Sequence, residues 1–271
     1  MDPIDVRTYG TEGPDVVVLH GGPGAPGSAA PLARELADGM RVHEPLQRRS
    51  GGESLTVARH VADMAAVAPT RAVYVGWSWG AMLALSFAAE HPELVAAIVL
   101  VGCGTFHEDE RLDYKQRVAD LLGDEGRARE QALREQIAAT EDPQARDALV
   151  GKLGALFMDA ETVDALALSS VGDDLPVDGR GNRETWDDAL RLQAEGIEPE
   201  RFASTRVPVL MLHGDTDPHP GVATRDRLRA FMPHLEYVEF PRCGHEPWRE
   251  RHAREPFLAR LRAFIHAQDD A

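Results

Sequence analysis

Ser78 stands in Gly76-Trp77-Ser78-Trp79-Gly80, between the apolar run Val73-Tyr74-Val75 and a helical pattern over Met82, Leu83, Leu85, Ser86, Phe87 and Ala89. Strand, sharp turn and helix with a serine at the apex match the G-x-S-x-G nucleophile elbow. Strand and helix pass so closely in such a turn that a Cβ at Gly76 or Gly80 would clash, and the serine backbone is strained. The helix N-terminus directs free N–H groups at the serine and favours negative charge there. A serine hydroxyl is a poor nucleophile until an imidazole takes its proton, and the imidazole needs a carboxylate to fix its tautomer. Candidates for both partners lie downstream in His213-Gly214-Asp215-Thr216-Asp217-Pro218 and Cys243-Gly244-His245. Either Asp215 or Asp217 could serve as the acid on this pattern, and His245 as the base. His219 adjoins the acid loop and is a minor candidate.

The elements that must hold these residues alternate. Ile4–Tyr9 reads as an edge strand, and Asp15–His20 as a strand buried on both faces, ending in His20-Gly21-Gly22-Pro23-Gly24. Ser28–Ala37 follows as a helix with Ser28 as N-cap, then strand Arg41–Leu46, loop Gln47–Ser54 and helix Leu55–Ala68. After the elbow and its helix comes a buried strand, Leu94–Val101. This β-α-β-α-β-α-β order predicts a mostly parallel sheet with helices on both faces. From 105 to 205 the rhythm stops. Helices are expected at Lys115–Leu122, Arg127–Ala139, Gln144–Met158, Ala160–Ser169 and Glu184–Gln193, with a loop over Gly172–Arg183. The sheet rhythm returns with strand Val207–Leu212, helix Val222–Phe231, strand Leu235–Phe240 and a last helix over Arg251–Ala267. The expected organisation is a core of residues 1–104 and 206–271 with a helical cap, 105–205, over the carboxyl ends of the strands. In an open parallel sheet the ligand site lies at those ends, where His20–Gly24, Ser78, Asp215/Asp217 and His245 all fall.

Composition narrows the partners. With 45 Asp+Glu against 29 Lys+Arg the formal net charge is −16, which argues against nucleic acid and anionic membrane surfaces. Between 105 and 205 there are 24 Asp+Glu and 12 Lys+Arg, a net of −12, so most of the negative charge lies in the expected cap. Cys103 and Cys243 have no metal-ligand spacing, and their strands should be separated by Val207–Leu212, too far for a disulfide. No metal and no cofactor is expected. Met1–Thr11 has no basic-then-apolar leader pattern and no apolar run reaches membrane-spanning length, so a cytoplasmic location is expected.

Along nearly its whole length the chain resembles the α/β-hydrolase family, in its serine-nucleophile branch. The resemblance implies an α/β-hydrolase fold with an inserted cap. Family members carry the acid in a G-x-x-D-like loop, here Gly214–Asp217, which selects Asp217 over Asp215. They carry the base after a glycine, here Gly244-His245. The oxyanion donors implied are the N–H of Trp79 and, from the glycine loop, the N–H of Gly22. HGGPG lacks the spacing and the lysine of a phosphate-binding loop, and Pro23 removes a donor. A serine at position 78 excludes the dehalogenase and epoxide-hydrolase chemistries of this fold, which use a carboxylate nucleophile.

HGGPG followed by GWSWGAMLAL also resembles the proline iminopeptidases, which remove N-terminal proline. The expectation is therefore a serine hydrolase cleaving an ester or amide through an acyl-enzyme, with a small molecule or short peptide as substrate. Alternatives are a small-ester carboxylesterase without peptidase activity and a non-catalytic ligand receptor on the same fold. An aminopeptidase must receive a substrate ammonium, for which the cap offers Glu108, Asp109, Glu110, Asp173, Asp174, Glu184, Asp187 and Asp188. Trp79 and Trp186 are candidate pocket walls, and Phe106 either gates the site or packs.

Overall fold

The computed structural model describes residues 3–168 and 175–269. Seven strands form one sheet: β1 (Val6–Tyr9), β2 (Asp15–Leu19), β3 (Arg41–Pro45), β4 (Ala72–Trp77), β5 (Val95–Val101), β6 (Val209–Gly214) and β7 (Glu236–Phe240). Their spatial order is β1-β3-β2-β4-β5-β6-β7, parallel throughout except for the edge strand β1, which runs antiparallel to β3.

The alternation of each strand explains the two cores. Val17, Leu19, Tyr74, Ile98, Leu100 and Met211 face one way. They pack under α2 (Val57–Val67) and α3 (Trp79–Glu90). Val16, Val18, Val73, Val75, Val99 and Leu212 face the other way, against α1 (Ala30–Leu36) and the C-terminal helix, which starts at Arg254. A strand covered on both faces must be apolar at every position, which is why β2, β4 and β5 read as continuous runs. Helix α3 is buried on nearly all sides, so it shows no polar face in the sequence.

Between β5 and β6 run α4 (Glu108–Ala139), α5 (Pro143–Ala160) and α6 (Gly179–Ala194). The two helices expected at Lys115–Leu122 and Arg127–Ala139 are one helical element with a break at Gly123, whose φ is 61°. The helix expected over Ala160–Ser169 does not form in its described part. Residues 162–168 are non-helical, and Ala165 bridges Glu250. Ser169, and residues 172–174 of the expected loop, lie outside the described residues, as do Asp173 and Asp174. The expected N-cap at Ser28 is also corrected: α1 begins after Ala29 without a side-chain cap, and Ser28 Oγ is buried without a partner. Beyond β6 come α7 (Gly221–Arg229) and α8 (Arg254–Asp269). Cys103 and Cys243 are free and lie beyond β5 and β7, on either side of β6. Among the described residues no helix is long and apolar enough to cross a membrane.

Candidate active site

Ser78 links β4 to α3 at φ 55° and ψ −118°, a backbone region that L-residues avoid. Such a conformation costs on the order of 1–3 kcal/mol and is held by its surroundings. The Ser78 N–H donates to Val101 O (2.8 Å), anchoring the turn to the end of β5. A Cβ at Gly76 would sit 2.2 Å from Gly80 O, and one at Gly80 would sit 2.3 Å from Leu19 O. Strand, helix and the neighbouring strand therefore approach within limits that only glycine allows at both positions. Trp79 is the first residue of α3, and a first-turn N–H has no partner inside its helix.

Two further loops meet the elbow. After β2, Gly21 packs so closely that a Cβ there would lie 3.3 Å from Ser78 Cβ. Gly22 is exposed with φ +114°. Gln47, following β3, joins the two loops: its Nε2 donates to His20 O (3.3 Å), and its Oε1 accepts from the Trp79 indole (2.9 Å). Sequence reasoning did not single out Gln47 for this role.

After β6 the chain turns so that Asp217, not Asp215, meets His245. Asp217 Oδ2 lies 2.8 Å from His245 Nδ1, and both side chains are buried. Asp215 is exposed and accepts the Cys243 N–H (3.1 Å), so it shapes the turn. The His245 backbone is fixed twice: its N–H donates to Glu161 O (3.0 Å), and its carbonyl accepts the Trp77 indole (3.2 Å). Buried Glu250 takes the N–H groups of Gly244 (3.1 Å), Val163 (2.9 Å) and Asp164 (2.8 Å), tying the histidine loop to the segment after α5. Gly102 closes the gap between elbow and imidazole: a Cβ there would lie 2.8 Å from His245 Nδ1. Ser78 and His245 thus both rest on the Val101–Gly102 end of β5.

Burial alone would raise the Asp217 carboxyl, but His245, His213 and His219 facing it hold it well below the usual carboxylate range. An ionised carboxylate only accepts, so His245 must present Nδ1–H to it, which leaves Nε2 free to take a proton. Burial alone would lower the His245 pKa. The charge of Asp217 and its hydrogen bond outweigh this, and the imidazolium is favoured above its ordinary 6.5. Asp217, His219 and His245 also offer three ligand atoms within 4.8 Å of one another. The two imidazoles are stacked at 18°, however, and each already turns its Nδ1 to a different oxygen of Asp217, Oδ1 for His219 and Oδ2 for His245. That geometry suits a proton network better than a metal.

The candidate pocket residues differ in exposure. Trp79 is buried, edge-on to His60 (6.1 Å) and Trp186 (5.8 Å), and Trp186 is half-buried. Phe106 is buried edge-on against Phe202 (5.4 Å). Several acidic residues of 105–205 are engaged within the protein. Glu184 and Asp188 accept the N–H groups of Leu55 (2.9 Å) and Val57 (2.8 Å) at the start of α2. Glu110 pairs with Arg227 and accepts the Phe106 N–H (3.1 Å). Glu108, Asp109 and Asp187 are exposed.

A model of the alpha/beta hydrolase fold matches residues 14–248 of this sequence. The chain belongs to that family. Among curated proteins, this α/β hydrolase is similar to the pimeloyl-[acyl-carrier protein] methyl ester esterase of Chromobacterium violaceum, with 30% identity over 254 residues, covering 90% of this chain and 91% of the relative. The enzyme of the same description from Aromatoleum aromaticum is 27% identical over 248 residues, covering 87% and 92%. Among solved structures, the hydrolase shares its fold with an esterase from Thermogutta terrifontis (TM-score 0.62, 17% identity, 98% and 93% covered). It shares it also with an esterase from Exiguobacterium antarcticum (TM-score 0.60, 19% identity, 97% and 95% covered).

Proposed function

We propose that the protein is a serine carboxylesterase acting on small esters, with Ser78 as nucleophile, His245 as base and then acid, and Asp217 as the orienting carboxylate. The observation that carries this reading is the buried Asp217–His245 hydrogen bond beside a serine in a strained elbow, both seated on the end of β5. Ser78 Oγ attacks the ester carbonyl as its proton passes to His245 Nε2. The N–H groups of Trp79 and Gly22 hold the tetrahedral oxyanion; each such donor contributes on the order of 2.7–4 kcal/mol. His245 returns the proton to the departing alcohol, leaving an acyl group on Ser78. Water, deprotonated by His245, then releases the carboxylic acid and restores the serine. This chemistry calls for no metal or cofactor.

Two facts favour an ester over a prolyl peptide. The curated relatives are methyl ester esterases, which suggests a small alkyl leaving group. Glu110, Glu184 and Asp188, which could have received a substrate ammonium, are bound to Arg227 and to the start of α2. In this reading residues 105–205 act as the cap, Trp186 forms part of the pocket wall, and Phe106 shapes it from behind. The net charge of −12 over 105–205 disfavours an anionic substrate or carrier at the entrance, so neutral esters are the preferred class.

A fluorophosphonate probe, 4-nitrophenyl acetate and proline-4-nitroanilide test the assignment together. Labelling of Ser78 with turnover of the ester only is the expected result. Turnover of the anilide would restore the iminopeptidase reading, and a folded protein that is neither labelled nor active would be a receptor.

The base must be neutral to act. Because Asp217 raises the His245 pKa, the acid limb of kcat/KM is expected above pH 6.5, with activity rising as pH increases through it. The stability linkage has the opposite sign. A raised histidine pKa contributes stability that is complete below pH 6.5 and is lost as pH rises through the folded-state value. An acid limb at or below 6.5 in a pH–rate profile would contradict this account of the pair.

A further inference from the structure

Asp217 has a second imidazole. His219 Nδ1 lies 3.0 Å from Asp217 Oδ1, the oxygen that His245 does not use, and the His219 backbone N–H donates to the same oxygen (2.9 Å). The His219 ring lies flat on the His245 ring, with centroids 4.5 Å apart. Its other face carries Tyr114 of α4 at 4.2 Å. His213 Nε2 holds the His219 carbonyl (3.0 Å), and the Tyr114 hydroxyl donates to Glu161 (2.9 Å). His219 is therefore a wedge fixed from the strand end, the acid loop and the inserted helices together.

We propose that His219 is a positioning residue for His245: its Nδ1–H holds Asp217 Oδ1, so that Oδ2 is aimed at His245. The proposal rests on the serine-hydrolase reading above. A carboxylate pivots about Cβ–Cγ, and a single hydrogen bond at Oδ2 leaves that rotation to one partner. With Oδ1 held by the His219 ring and backbone, the imidazole of His245 keeps its orientation while it gains and loses a proton. The donor at Oδ1 also draws negative charge away from Oδ2, which makes His245 a less tightly protonated base.

Other groups face this cluster. Tyr114 and Arg117 come from α4, Glu161 from the end of α5, His213 from β6 and Glu246 from the histidine loop. None of these supplies a second hydrogen bond to Asp217 Oδ1 among those described, and His213 Nε2 stands 3.4 Å from Oδ2.

The test compares His219→Phe, which keeps a flat ring, with His219→Asn, which keeps a side-chain N–H donor. Rates on 4-nitrophenyl acetate are normalised to sites titrated by the fluorophosphonate. For His219→Phe we expect kcat to fall on the order of tenfold with KM nearly unchanged. The acid limb of its pH profile should move to higher pH, because Asp217 recovers the charge that the donor withdrew. His219→Asn should recover most of both. An unchanged kcat and acid limb in His219→Phe overturns the proposal, and so does a loss that vanishes on normalisation, since that is a folding defect. A wild-type protein that is neither labelled nor active defeats the hydrolase reading itself, an outcome distinct from either.

Discussion

Replacing Ser78 by alanine is expected to lower kcat/KM for a small ester by on the order of a millionfold, with the unfolding midpoint nearly unchanged. The magnitude follows from the two jobs that disappear together. Without Oγ there is no acyl-enzyme, and His245 has no nucleophile to deprotonate. A millionfold loss corresponds to about 8 kcal/mol of transition-state stabilisation. Adding His245→Ala to Ser78→Ala should cost little more, because residues that act as one unit are strongly non-additive. The residual rate then comes from the Trp79 and Gly22 donors and from substrate binding. Stability should hold because the amide that anchors the elbow, Ser78 N–H to Val101 O, is backbone and survives the substitution. The measurements are steady-state kinetics of both single variants and the double, with chemical denaturation of each. Losses that multiply in the double variant would mean that Ser78 and His245 act separately, and the proposed mechanism would be wrong.

The sheet was legible because burial on two faces leaves a plain mark. Val16–Leu19 and Val95–Val101 are apolar without interruption, and the structure sends their alternate residues to opposite cores. The elbow was legible for a related reason: backbone contacts at Gly76 and Gly80 admit no side chain, so the sequence shows a gap on each side of the serine. Loops ending adjacent parallel strands must meet, which is how an acid after β6 and His245 after β7 could be paired before any distance was known, with the family resemblance choosing Asp217 over Asp215.

The inserted helices were less legible. Their carboxylates look alike on paper, yet Asp178 caps α6 through Gly181 N–H (2.9 Å), whereas Asp109 is exposed. Helix periodicity over Ala160–Ser169 misled because tertiary hydrogen bonds overrode local preference. Glu250 takes the amides of Val163 and Asp164, and Arg249 O accepts the Leu166 N–H (2.7 Å). His219 carries a similar lesson. Its place next to the acid loop was visible, but a ring stacked on His245 depends on Tyr114, more than a hundred positions away in the chain.

The second large effect concerns Gly76, inside β4. An alanine there would put its Cβ 2.2 Å from Gly80 O, 2.4 Å from Gly80 C and 2.5 Å from Ala81 N. All three are backbone atoms of the elbow helix, so no side chain can rotate away. Relief requires α3 to lift from the sheet. That helix buries Met82, Leu83, Leu85 and Phe87 in one core, and its first turn carries Ser78 and the Trp79 N–H. Displacement therefore costs packing and site geometry together. Gly76→Ala is expected to destabilise the fold by about 4 kcal/mol or more, at the upper end of single substitutions, and to abolish labelling of Ser78. Gly154→Ala is the matched control. Gly154 is an exposed position within α5 where a Cβ meets nothing within 4 Å. Alanine there should stabilise by roughly 0.5–1 kcal/mol through helix propensity alone. Denaturant midpoints for the two variants test the contrast. If Gly76→Ala unfolds at the wild-type midpoint and still labels, strand and helix do not need the close approach that holds Ser78 at its strained φ.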